Sequence, residues 1–196
     1  MENQETNLSH AQSMQIIQSM IAQAKNKISD DGFHFLLWGV LVIAASLGQY
    51  YMALHEMVNN FWPWMVMPLV GMPAAFFYEW RKSKAERVKT YVDIVFGYLW
   101  AGIGVALFLV IFFSVRAEQS PIPYVLLLAG LGTFVSGTAL KAKSLIAGGM
   151  ILWLGAIGAD FVSPLNQLLI NAAATFMGYI IPGLILRRAA KAEEHV

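Results

Sequence analysis

The chain has 196 residues, of which 58% are hydrophobic and only 13% charged, with a net charge of +1. Soluble domains carry about 25% charged residues, so this composition leaves too little polar surface to solvate a soluble fold. The charge balance excludes a nucleic-acid partner, which needs a basic excess, and the absence of cysteine excludes disulfides, thiolate catalysis and Cys-ligated metals.

The first 13 residues are polar and carry Glu2 and Glu5 where a signal peptide would place basic residues. Met14, Ile17, Ile21, Ala24 and Ile28 then recur at intervals of 3, 4, 3 and 4, which predicts an amphipathic helix. Its opposite face (Gln12, Ser13, Gln15, Gln18, Ser19, Gln23, Asn26) is rich in amides rather than Lys and Arg. Helices that lie on anionic lipid usually present basic residues there. A protein partner, a sister subunit or the bundle's own cytoplasmic surface suits this face better. Asp30, Asp31 and Gly32 end the segment.

A helix of about 20 apolar residues crosses the hydrocarbon core, and six such stretches follow: 33–54, 61–80, 94–115, 122–140, 144–159 and 165–186. The fifth, with 16 uncharged residues between Lys143 and Asp160, is short and should stand nearly upright. Lys25, Lys27, Arg81, Lys82, Lys84, Arg87, Lys89, Lys141, Lys143, Arg187, Arg188 and Lys191 fall on one side of this threading and Arg116 alone on the other. Basic residues mark cytoplasmic loops. Both termini are therefore expected in the cytoplasm, in a bacterial inner membrane, as an N-terminal segment 1–31, a six-span helical domain 32–188 and a tail 189–196.

The odd-numbered stretches share a pattern. Trp38, Trp100 and Trp153 each follow two aliphatic or aromatic residues and lie 10 or 11 positions after Lys27, Lys89 and Lys143. In the even-numbered stretches Gly71, Gly130 and Gly178 precede Arg81, Lys141 and Arg188 by 10 or 11. This reads as three tandem helical hairpins, although chance similarity among Leu- and Gly-rich segments would look alike. At about 1.5 Å per residue each tryptophan sits about 15 Å from the cytoplasmic charge, near mid-membrane, where its N–H needs an acceptor. Either a neighbouring helix supplies one, or the indoles line an aromatic-walled cavity. Trp62, Trp64 and Trp80 suit interfacial anchoring.

Pro63, Pro121 and Pro164 open helices, and Ser163 is expected to cap the last. Pro73 and Pro182 interrupt even-numbered stretches at matching positions. Interruptions of this kind can free carbonyls toward a cavity or merely shape the bundle. The pairs Gly102/Ala106, Gly132/Ser136, Gly155/Ala159 and Ala174/Gly178 are expected to draw the last four stretches into a tight bundle. Trp38, Trp100, Trp153, Pro73, Pro182 and Asn171 make up the candidate ligand cavity. His34, Glu79 and Asp93 form a candidate polar cluster at the cytoplasmic boundary, where hydrated pairing with nearby lysines is the plainer reading. The mid-span polar candidates, Thr133, Ser136, Thr138, Asn171 and Thr175, are all neutral, and an interhelical hydrogen bond accounts for Asn171 and Thr175, which share a helical face.

No HExxH, GxSxG or P-loop pattern occurs, and the four histidines are scattered over both sides. No catalytic residue, metal or cofactor is therefore expected. The opening segment Asp31-Gly32-Phe33-His34-Phe35-Leu36-Leu37-Trp38-Gly39, the basic loop after the second stretch and Pro182-Gly183 resemble a family of uncharacterised small six-span bacterial inner-membrane proteins. That resemblance covers most of the chain. Such proteins are often encoded beside a small winged-helix regulator, which would imply a regulated stress or envelope function. Two function classes follow: a non-enzymatic regulatory module binding a partner or lipophilic ligand, or a small oligomeric transporter or channel.

Overall fold

The computed structural model describes residues 32–85 and 91–193. Among them the structure is helical throughout, with no strand. Helices α1 (Gly32–Leu54), α2 (Trp62–Ala85), α3 (Tyr91–Arg116), α4 (Ile122–Ala139) and α5 (Lys143–Asp160) are followed by α6 (Pro164–Thr175). A π-helical segment, Phe176–Ile180, then joins α6 to α7 (Ile181–Glu193) in one continuous rod. Six rods thus stand where the sequence places its six apolar stretches. The amphipathic stripe Met14, Ile17, Ile21, Ala24 and Ile28 lies outside the described residues.

Four helices are long and apolar enough to cross a membrane: Gly32–Leu54, Ile94–Arg116, Ile122–Ala139 and Pro164–Ala189. Their length and composition are those of a membrane protein. The other two are less apolar for visible reasons. Helix α2 carries Glu79, Arg81, Lys82 and Lys84 in its last turns and two internal prolines. Helix α5 is bounded by Lys143 and Asp160 and filled with Gly and Ala.

The termini of three helices share one device. At α1, Met57 N–H reaches Met52 O at 2.9 Å and Glu56 N–H reaches Ala53 O, with Glu56 at φ 51°. Glu118 (φ 56°) after α3 and Lys141 (φ 54°) after α4 repeat the arrangement. These are Schellman motifs built on charged residues where glycine is usual. By contrast Ser163 holds the extended backbone of an N-cap but its side chain makes no capping bond, so the expected cap is positional only.

Neighbouring rods pack in the order α2, α1, α6–α7, α5, α4, α3. The most extensive contact joins α4 to α5, across two of the expected hairpins rather than within one. Glycine explains how close they come. A Cβ built on Gly149 would lie 2.8 Å from Phe134 N, and one on Gly137 only 2.6 Å from Ile146 N. At the α5–rod contact, a Cβ on Gly148 would lie 2.5 Å from Gly178 O, and one on Gly178 2.9 Å from Gly148 O. Backbones in lipid-type bundles approach this closely only where side chains are absent.

Helix α3 departs from expectation. It was to join the tight bundle through Gly102 and Ala106, yet a Cβ on Gly97, Gly102 or Gly104 would meet nothing within 4 Å. α3 is fastened chiefly to α4, through Trp100 and Ile103 seated on Gly132. Gly102 lies on the side of α3 away from Trp100 and Ile103, which define the packed face, while Gly97 and Gly104 flank that face with no neighbour close enough to touch.

Candidate functional site

The interior is polar along one line. Gln167, Asn171, Thr175 and Tyr179 succeed one another at i, i+4 spacing, which stacks them on one helical face, and all four are buried. Asn171, 1% exposed, donates through Nδ2 to Ser46 Oγ of α1 at 2.8 Å, and Ser46 is itself fully buried. Depths agree on both sides. Asn171 lies about 10 Å along its rod from Pro164, and Ser46 about 12 Å from the matching end of α1. Further along, the Tyr179 phenol lies against the Thr133 side chain of α4. Thr133 Oγ1 donates to Ala129 O at 2.7 Å. Around this contact Phe35 packs edge-on against Tyr179 (5.6 Å) and Trp100 (6.0 Å).

Three buried oxygens on this line or beside it have no hydrogen-bond partner: Gln167 Oε1, Asn171 Oδ1 and Ser136 Oγ. An unpaired buried acceptor costs about 1–3 kcal/mol. The orientation of Gln167 is fixed, because its Nε2 donates to the Val162 carbonyl at 3.4 Å and only an N–H can do that. Asn171 could bond the Ser46 hydroxyl by either end of its amide. In both orientations one end is left unmet.

Trp38, Trp100 and Trp153 do not share a cavity. Trp38 of α1 lies over Gly71 of α2, where a Cβ would come within 2.8 Å of the indole. Trp100 of α3 lies over Gly132 of α4. Trp153 of α5 lies over Gly130 of α4 and donates from Nε1 to Leu127 O at 3.1 Å. Each indole is thus a knob on a glycine of the neighbouring helix, and for Trp153 that neighbour also supplies the acceptor. Pro73 is exposed on α2. Pro182 packs its ring toward Gly148. A proline at 182 cannot donate to the carbonyl of Gly178, four residues earlier, and the π-helical turn just before it widens the rod there. That carbonyl faces Gly148, not a cavity. Of the candidate cavity residues, Asn171 alone lies on the polar line.

Near the start of α1 His34 Nε2 and Glu79 Oε1 are 2.8 Å apart, joining α1 to α2. Phe33 stacks on Tyr78 beside them at 3.9 Å. The third member expected there, Asp93, has a side chain outside those described. At the opposite end Trp64 donates to Gln49 Oε1 at 2.6 Å, so α2 is clasped to α1 at both ends.

No protein-family model matches the chain, and no curated protein or solved structure matches it either. Function must therefore be read from the geometry alone. Among the described residues no group of three or more His, Asp or Glu could hold a metal ion. Sequence reasoning found Asn171, Thr175 and Thr133 but missed Gln167, Ser46 and Tyr179. The spacing of four from Gln167 to Tyr179 was the available signal. Ser46 had none, since its role comes from a helix 125 residues away in sequence.

Proposed function

We propose that this chain is a six-span protein of a bacterial inner membrane, with both termini cytoplasmic, acting as a non-enzymatic module that holds a partner or lipophilic ligand. The observation that carries this is the contrast between interior and rim. Backbone-close glycine contacts seal α4, α5 and the last rod against one another. Exposed apolar side chains lie on every rod, and α2 and α3 carry most of the exposed phenylalanines: Phe76, Phe77, Phe108, Phe112 and Phe113. An apolar rim of this extent suits lipid and a membrane-embedded or membrane-bound partner. The amphipathic segment 14–28, apolar on one face and amide-rich on the other, would add a cytoplasmic contact.

The lack of cysteine allows a direct test of orientation. Single substitutions Glu118→Cys and Asp160→Cys should react with an impermeant maleimide from outside intact cells. Lys141→Cys and Arg188→Cys should react only after permeabilisation. Labelling of Lys141→Cys in intact cells would overturn the six-span threading.

A second reading, a small oligomeric transporter or channel, draws on the polar line from Gln167 to Tyr179. Deleting residues 1–29 separates the two readings. The module should lose a partner crosslinked through Gln18 or Gln23, whereas a transporter should keep its flux in proteoliposomes. Crosslinking from Gln18 and Gln23 that captures lipid alone would sink the partner reading.

A further inference from the structure

The two unpartnered amide oxygens of α6 point to a ligand. Gln167 is 7% exposed and Asn171 1% exposed, they are one helical turn apart on the same face, and each keeps one amide end unmet after its protein partner is counted. Gln167 needs a donor. Asn171 needs a donor or an acceptor, according to which end meets Ser46. We propose that Gln167 and Asn171, with Ser46, form a binding site for one small neutral molecule that can donate hydrogen bonds, of which water is the smallest.

The chemistry of the line limits the occupant. Gln, Asn, Ser, Thr and Tyr supply dipoles but no compensating charge, and an ion in an uncharged interior of this kind is disfavoured. Size is limited by the helical spacing, since side chains one turn apart stand about 5–6 Å from one another. A water, or a small amide or alcohol, can bridge acceptors across that gap. Gln167 lies within the first turn of its rod, next to the loop that contains Val162, so the site is entered from that end. The inference rests on the packing of α6 against α1 and on neither functional reading.

X-ray radiolytic footprinting of the full chain in lipid nanodiscs tests it. Radicals form where water is held, so oxidation of a buried side chain reports bound water rather than exposure. Leu168, beside Gln167, is 4% exposed, and Leu145 and Leu152 at 0% and 1% serve as internal references. Leu168 should be oxidised several-fold faster than either, and the double variant Gln167→Leu/Asn171→Leu should bring it down to their level. The comparison within the unaltered chain needs no variant to fold. Equal slow oxidation of all three leucines would overturn the proposal. Repeating the pulse with excess formamide, with Leu168 read as a ratio to exposed Met57 so that radical scavenging cancels, distinguishes the sources: a fall in the ratio assigns the site to small amides as well, and an unchanged ratio assigns it to water.

Discussion

Gly148→Val should lower stability by about 3 kcal/mol or more, near the upper end of overpacking penalties. The reason is what the new Cβ would strike. It would lie 2.5 Å from Gly178 O and 3.0 Å from the Pro182 ring, and neither can swing aside: one is backbone, the other a ring fixed to it. α5 and the last rod would have to separate along their length. The measurement is thermal denaturation in mild detergent, with the monodisperse fraction followed by size-exclusion chromatography. Gly102→Ala and Gly104→Ala give the contrast. Their Cβ atoms would meet nothing, and replacing helical glycine gains up to about 1 kcal/mol, so these variants should match or exceed the parent. Equal damage from Gly148→Val and Gly102→Ala would contradict the packing described above.

Trp100→Ala is expected to release α3. This helix is held chiefly by α4, and Trp100 supplies much of the seat on Gly132 together with the edge-on contact to Phe35. Truncating a large aromatic in a core costs about 3–5 kcal/mol, and at half-buried Trp100 the cost should be smaller and fall on the α3 contact. The loss should be local, because α5 and the last rod do not depend on α3. Spin labels at Tyr98→Cys and Lys141→Cys, on exposed positions of α3 and just beyond α4, would report it. In the parent a single narrow distance is expected, and in Trp100→Ala a broad distribution with little change in overall denaturation. A narrow distance in the variant would show that other contacts hold α3.

The rods themselves were legible because apolar length is a one-dimensional property. All six begin within three residues of the stretches read from composition, though α2 and the last rod run five and seven residues further, and Pro121 and Pro164 stand at the helix starts where a missing N–H is harmless. Which glycines would be buried was not legible. Gly102/Ala106 and Ala174/Gly178 have the same spacing, yet only the second faces a neighbour. The difference lies in the rotation of each helix about its axis, which local spacing does not encode. The tryptophans show the same limit. Their places along each helix followed from counting residues, but whether they met in one cavity depended on three separate interfaces. Asn171 could be picked out as a buried amide, whereas its partner Ser46 could be found only once α1 and α6 were laid together.

The uneven hydropathy of the six rods bears on how such a chain would be made. On the six-span reading, α5 leaves the ribosome after α4 with fewer apolar side chains than a segment needs to enter lipid unaided. It has, however, the most extensive surface in the molecule to lay against α4. Helix α2, with its charged final turns, stands in the same relation to α1, to which two side-chain bonds clasp it. Membrane entry of these two segments then becomes a cooperative step, in which the preceding helix acts as the solvent for the next. The glycines of α4 and α5 would serve the nascent chain before they serve the finished one.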